Sequence, residues 1–258
     1  IGGLDLGVTI CEDAWQHCGA TPNDYDTDPI AQLVEWCRQG VNLDATVNLS
    51  ASPYHGDKIS VRLDVARSAA SSLGHPFLLA NQVGGNDDLL FDGRSIIAWP
   101  DGRVVMGPGW KEGVLVADLS TPEKCQWFGD GELTILQPGE DLKLGFEDLL
   151  DAVITGLSDY CSKSGIGKIV LGVSGGIDSA LAACIAASAV GPNNVTGISM
   201  PSRHSSQHSI DDAKATAEAL GINFVLKPIN DLHDSAESSL SELLANGAPV
   251  AAENLQAR

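Results

Sequence analysis

Lys168 to Ser179 reads KIVLGVSGGIDS, and this stretch decides the fold of the second half of the chain. An apolar run, Ile169 to Val173, passes straight into Ser174-Gly175-Gly176, and an Ala-rich segment with helical spacing opens near Asp178. Strand, glycine turn and helix in that order begin a parallel βαβ unit. Two glycines allow a tight turn, which is one reading of the loop. The other is an anion site. Glycines let backbone N–H groups approach a phosphate, and the helix N-terminus adds partial positive charge. Ser174 and Ser179 offer hydroxyl donors, and Asp178 at the helix start reaches a phosphate only through a divalent cation. The loop contains neither GxxxxGK[ST] nor GxGxxG.

Outward from this loop the alternation is regular. The spacing predicts helix over 146–163, strand over 168–173, helix over 178–190, strand over 194–199, helix over 207–220, strand over 222–226 and helix over 231–246. Strands alternating with helices imply a doubly wound, parallel α/β domain. From Thr121 to Glu140 the pattern loosens around Pro122, Gly129, Gly131, Pro138 and Gly139. A boundary there divides the chain into domains 1–140 and 141–258. The first of these predicts strand 4–10, helix 29–39, strand 45–49, the polar loop Ser50–Lys58, helix 60–73 and strand 77–80. Turn signals follow at 84–88, 92–93 and 100–102, so a β-α-β-α run ends in an antiparallel meander. We see no internal repeat and no low-complexity tract.

The chain has 258 residues, 43% of them hydrophobic and 19% charged, the balance of a globular protein with a sizeable core. Fifteen basic residues against 34 acidic ones give a net charge of −19. That argues against nucleic acid and anionic membrane surfaces as partners, while leaving small anions to a locally positive site. No stretch reaches the ~20 apolar residues that span a bilayer, and no secretory signal opens the chain. The six cysteines, at 11, 18, 37, 125, 161 and 184, form no CxxC pair and no metal-ligand spacing, so a reducing, cytoplasmic setting is expected. Ile1-Gly2-Gly3 is no initiator sequence, and Ala251–Arg258 reads as helix without a terminator. Both ends are therefore expected to be cut.

In the first half, Val8 to Trp15 reads VTICEDAW. A cysteine at a strand end is commonly a small buried hydrophobe. Here Glu12 and Asp13 follow at once, so the strand emerges into a polar cleft, and the segments after strands 45–49 and 77–80 are polar as well. Strand C-terminal ends are where α/β proteins build their sites.

SGGIDS resembles the SGGxDS pyrophosphate loop of ATP pyrophosphatases. The likeness implies that Gly172, Val173, Ser174, Gly175, Gly176, Ile177, Asp178 and Ser179 bind ATP, with Asp178 a Mg²⁺ ligand. Joined to ICEDAW around Cys11, NLSASPYHGDK at 48–58, NQVGGNDDLLFDGRS at 81–95, MPSRHSSQHSIDDA at 200–213 and ENLQAR at 253–258, it makes nearly the whole chain similar to the glutamine-dependent NAD⁺ synthetase family. That resemblance implies an α/β fold in two parts. The first is the C-terminal part of a nitrilase-like αββα sandwich, a glutaminase; the second is a Rossmann-like doubly wound ATP-pyrophosphatase domain.

By the same resemblance Cys11 attacks the glutamine side-chain amide to give a thioester and ammonia, Ser52 and Lys58 hold the glutamine, and Arg258 contacts deamido-NAD⁺. Glutamine, deamido-NAD⁺ and ATP would be the small-molecule partners, Mg²⁺ the cofactor, and a homo-oligomer the assembly. The family's triad adds a Glu base and a Lys upstream of the cysteine, and neither residue type occurs before Cys11 here. A substitute Cys–His dyad with His17, His55 or His75 would need contacts that sequence does not give. Arg203 and its neighbouring serines either line the ATP site or cap the helix that begins near Ser209. Two alternatives stand beside this reading. One is a catalytically incomplete fragment that keeps only nucleotide binding; the other is a different glutamine-dependent amide ligase.

Overall fold

Strict alternation makes the central strands of the first half two-faced. Phe77 and Leu79 point one way and Leu78 the other, and Ile96, Ala98, Val104 and Met106 are buried opposite Ile97, Trp99 and Val105. The computed structural model describes residues 3–16, 25–203 and 205–241. It separates into two compact units, Ile1–Asp159 and Tyr160–Arg258.

In chain order, the first unit begins with β1 (Leu6–Ile10), a 3-10 turn (Cys11–Ala14), α1 (Pro29–Arg38), β2 (Ala45–Ser50), α2 (Lys58–Leu73) and β3 (Phe77–Asn81). A hairpin of β4 (Val83–Asn86) and β5 (Leu89–Asp92) follows, then β6 (Ile96–Ala98) and β7 (Val104–Met106). A second hairpin, β8 (Gly113–Asp118) and β9 (Thr121–Gly129), leads to β10 (Thr134–Leu136). The main sheet runs β1-β2-β3-β6-β7-β10. Its first three strands are parallel and the rest antiparallel.

Helix α1 starts where the sequence places it. The Asp28 carboxylate accepts from the Ile30 and Ala31 N–H groups at 2.8 and 3.1 Å, and Pro29 fills the first helical position. Helix α2 lays Leu63, Ala66 and Ala70, all fully buried, on the sheet face of Phe77 and Leu79. Each buried Leu or Phe there contributes about 1.5–3 kcal/mol relative to exposure. The far face carries a second cluster around Trp99.

One expectation is corrected here. Gly84 and Gly85, read as turn residues, lie inside β4, and the turn falls at Asp87 and Asp88, with Asp87 left-handed at φ +52°. The glycines serve close packing instead. A Cβ on Gly84 would sit 2.6 Å from the Asp159 carboxylate, and one on Gly85 would sit 3.4 Å from the Gly156 Cα. The loosened region 121–140 holds β9, which includes Pro122 and pairs Gly129 with Gly113, and β10, which pairs with β7 at the end of the main sheet.

Helix α3 (Phe146–Lys163) contains the division between the units. The second unit has β11 (Ile169–Gly172), α4 (Ile177–Val190), β12 (Val195–Ser199), α5 (Gln207–Leu220), β13 (Asn223–Leu226) and α6 (Asn230–Ser239). Its three strands are parallel and adjacent in the order β11-β12-β13. The fold class is therefore α/β throughout, as the sequence predicts. Of the expected helix 231–246, residues 242–246 lie outside the described residues. Among those described, no helix is long and apolar enough to cross a membrane.

Candidate functional sites

The parallel register of β1, β2 and β3 places Ile10 beside Leu49 and Ser50 beside Asn81, so Cys11, Ser50 and Asn81 emerge at one sheet edge. Cys11, Ser50, Ala51, Asn81 and Gln82 line an open groove of about 480 Å³ there. Cys11 itself has φ +45°, a left-handed conformation that costs a side-chain-bearing residue about 1–3 kcal/mol and persists only where its surroundings impose it. Those surroundings are polar. Asn48 Nδ2 donates to Thr9 Oγ1 at 3.0 Å and to the Cys11 carbonyl at 3.3 Å, and Ser50 Oγ donates to Asn48 Oδ1 at 2.5 Å. On the far side of the turn, the Ile10 N–H donates to the Asp13 carboxylate at 2.7 Å. The Cys11 thiol is half-buried and free of any disulfide. Glu12 is exposed, and its carbonyl accepts from the Trp15 N–H and Gln16 Nε2.

Ser52 sits two residues past β2 and is 3% exposed. Its N–H donates to Asn81 Oδ1 at 2.9 Å, while its hydroxyl has no hydrogen-bond partner. A buried hydroxyl left unpaired costs about 1–3 kcal/mol, so this atom awaits a ligand's polar group or a water. Lys58 opens α2, with its ammonium 4.3 Å from the centroid of the buried Trp15 ring. Cys11 and Asn81 line the groove but Ser52 and Lys58 do not: Ser52 reaches it only through its bond to Asn81, and Lys58 lies over Trp15, just past the turn that Cys11 opens. Sequence reading missed Trp15, Asn48 and Asn81 as supports. Their signal was a polar or amphipathic residue directly at the end of an apolar strand or turn. His75 cannot assist the thiol. It pairs with Thr46 Oγ1 at 2.8 Å, at the start of β2 and hence the opposite end of the strand from Cys11. Burial pushes its pKa down, against the opposing pull of Asp44. His17 lies outside the described residues.

The first unit also holds a buried charge network, with Asp92 and Arg94 from the 81–95 motif and Arg62 and Asp148 from outside the motifs. Arg62, fully buried, grips Asp92 through both guanidinium nitrogens at 2.9 and 3.2 Å. Arg94 bonds Asp92 at 2.9 Å and also the Asp148 carboxylate in the first turn of α3. Trp110 Nε1 and the Tyr54 hydroxyl each donate to Asp148 at 2.8 Å. Burial, followed by the hydrogen bond to Asp148, pushes the Tyr54 phenol up to about 12.

In the second unit, Gly175 turns the chain at φ +84°, and a Cβ there would lie 2.3 Å from the Ser209 carbonyl oxygen. Only glycine fits. The two loop serines knit the turn. Ser179 Oγ donates to the Gly176 carbonyl at 2.9 Å and accepts from the Ser174 N–H at 3.2 Å, while Ser174 Oγ accepts from the Gly176 N–H at 3.3 Å. Val173 is buried, and its N–H extends the sheet to the Ile198 carbonyl, so only its backbone borders the loop. Helix α4 begins at Ile177 with no side-chain cap, which leaves its first-turn amides to an incoming anion. Asp178 is exposed in that turn. A single exposed carboxylate in the first turn of a helix has the chemistry that Mg²⁺ uses when it takes one or two carboxylates together with substrate phosphates. Ser206 caps α5 through its hydroxyl at 3.1 Å from the Ser209 N–H. Arg203 pairs with Asp234 and Glu237 of α6 at 2.9 and 2.6 Å. Arg258 lies outside the described residues.

A strained cysteine at the end of a parallel strand thus marks the first unit, and a glycine loop that opens a parallel α/β run marks the second. Residues 31–127 match the carbon-nitrogen hydrolase family and residues 149–258 the NAD synthase family. Along nearly its whole length the chain is similar to glutamine-dependent NAD⁺ synthetases. It is 41% identical to the glutamine-dependent NAD(+) synthetase of a Synechocystis strain, over 99% of its own length and 44% of that protein's. With the Rhodobacter capsulatus protein of the same name it shares 37% identity, over 100% and 43% of the two lengths. Among solved structures, the glutamine-dependent NAD⁺ synthetase of Acinetobacter baumannii in complex with ADP superposes with a TM-score of 0.75 at 29% identity, covering 97% of this chain and 44% of that one. The chain thus spans under half the length of the relatives it matches.

Proposed function

We propose that this protein takes part in the ATP-dependent amidation of deamido-NAD⁺ to NAD⁺, with glutamine as the ammonia source. The observation that carries the reading is Cys11, held left-handed and lining an open groove at the C-terminal ends of β1, β2 and β3. In this reading the Cys11 sulfur attacks the side-chain carbonyl carbon of glutamine. The C–N bond breaks, ammonia leaves with a proton, and a thioester remains that water hydrolyses to glutamate. Ser52 meets the substrate with the hydroxyl that has no partner in the protein, and Lys58, steadied on Trp15, supplies positive charge for the α-carboxylate.

The glycine loop 172–179 serves the second step. Its backbone and the uncapped start of α4 cradle the ATP phosphates, which supports ATP as substrate together with the ADP held by the Acinetobacter relative. The nicotinate carboxylate attacks the α-phosphorus and pyrophosphate leaves. Ammonia then displaces AMP from the mixed anhydride and leaves a carboxamide. Mg²⁺, when bound, neutralises phosphate charge, and Asp178 is the residue positioned to hold it. In a chain of charge −19 such local compensation is needed for two anionic substrates. The free thiols of Cys11, Cys37, Cys125, Cys161 and Cys184 support a reducing compartment such as the cytoplasm. Assembly as a homo-oligomer belongs to the same reading.

The test is direct. The intact protein, given deamido-NAD⁺, Mg·ATP and glutamine, should release NAD⁺, AMP and glutamate in equal amounts, resolved by chromatography. Absence of NAD⁺ refutes the reading.

A further inference from the structure

The chain between β2 and α2 carries Ser52 and ends at Lys58, yet residues 51–57 form neither helix nor strand. Something else must fix it if both side chains are to serve Cys11. Beyond the Ser52 N–H bond to Asn81, two hydrogen bonds converge on one residue. The Tyr54 N–H donates to the Leu90 carbonyl at 2.7 Å, and its hydroxyl donates to Asp148 Oδ2 at 2.8 Å. The Tyr54 ring also meets Trp110 edge-on, with centroids 4.8 Å apart.

Asp148 is itself immobilised. It is buried, and its Oδ1 takes the Arg94 guanidinium and Trp110 Nε1. Arg94 is fixed in turn by Asp92, and Asp92 by Arg62. Arg94 and Trp110 both adopt left-handed backbone, at φ +49° and +60°. Such strain persists where neighbouring structure imposes it, and it gathers at functional positions. A loop anchor alone would not call for this arrangement. An apolar contact of the same volume holds a loop without desolvating a carboxylate, whereas a charge-assisted hydrogen bond adds a defined direction.

We propose that Tyr54 is a positioning residue for the glutamine step: its bond to Asp148 ties the 51–57 loop to the first turn of α3 and so sets Ser52 and Lys58 relative to Cys11. The inference rests on the role of Cys11 proposed above. It makes α3 part of the support of the glutamine site.

The test uses the intact protein with either glutamine or ammonium as nitrogen donor. Tyr54→Phe keeps the ring against Trp110 and removes only the hydroxyl. It should lower kcat/KM for glutamine about tenfold, chiefly through KM, and leave ammonium-driven synthesis within about twofold of wild type. Three results would overturn the proposal: a glutamine KM within twofold of wild type in Tyr54→Phe, equal losses with the two donors, or a rise in KM for deamido-NAD⁺ instead. Wild-type protein that uses ammonium but not glutamine would refute the reading of Cys11 itself, and this positioning role with it.

Discussion

At Ser52 the structure leaves a buried hydroxyl without a partner, and this sets up opposite effects on stability and binding. Removing an unpaired buried hydroxyl relieves its desolvation penalty. Ser52→Ala should therefore stabilise the unliganded protein slightly, by up to about 1 kcal/mol, while raising the KM for glutamine. Thermal unfolding and steady-state kinetics on the same preparation check both signs, and a lowered Tm would show that the hydroxyl is bonded in the protein alone. Cys11, Ser52 and Lys58 stand out as candidates in the sequence because they fall in the quoted motifs, and Cys11 also falls at a strand end. The network of Arg94, Trp110 and Asp148 does not: Arg94 lies in a motif, but Trp110 and Asp148 are single residues outside the motifs, and the three lie 16 to 54 positions apart along the chain. Only the folded backbone brings them together.

Among the elements, the glycine loop and the hairpin β4–β5 show the same residue serving different ends. At Gly175 a positive φ and the close carbonyl of Ser209 forbid a side chain, so the loop and the start of α5 are locked together. Gly175→Ala should destabilise the protein by more than about 1 kcal/mol and impair ATP-dependent synthesis with either nitrogen donor. Urea unfolding and an ammonium-driven assay measure the two effects; unchanged stability would contradict the geometry. Gly84 and Gly85 read as turn residues because glycine pairs ordinarily punctuate hairpins. Their actual constraint is the approach of α3, a long-range contact invisible to local pattern. The second unit was legible almost residue by residue, from α3 to β13, since each element there is set by local periodicity and punctuation. In the first unit β8, β9 and β10 were harder, because antiparallel strands at a sheet edge carry weak alternation.

For the molecule as a whole, His75 and Tyr54 contribute to the pH dependence of stability at opposite ends. Burial lowers the His75 pKa below 6.5, so the unfolded chain binds the proton more readily. Stability from this group is present above pH 6.5 and is lost as pH falls through the folded value. Tyr54 acts at the other end. Its pKa is raised from 10.0 to about 12, so its contribution is complete below pH 10 and vanishes as pH rises through about 12. His75→Gln should shallow the acid limb of a plot of unfolding free energy against pH. An acid limb unaffected by that change would assign it to other groups.

The central claim is a division of labour: a thiol in the first half releases ammonia, and a glycine loop in the second half consumes it. Cys11→Ala in the intact protein, assayed with deamido-NAD⁺ and Mg·ATP, tests it most directly. The account predicts no NAD⁺ from glutamine and near wild-type NAD⁺ formation from ammonium. Glutamine-driven synthesis that survives the substitution, or ammonium-driven synthesis that disappears with it, would contradict the account.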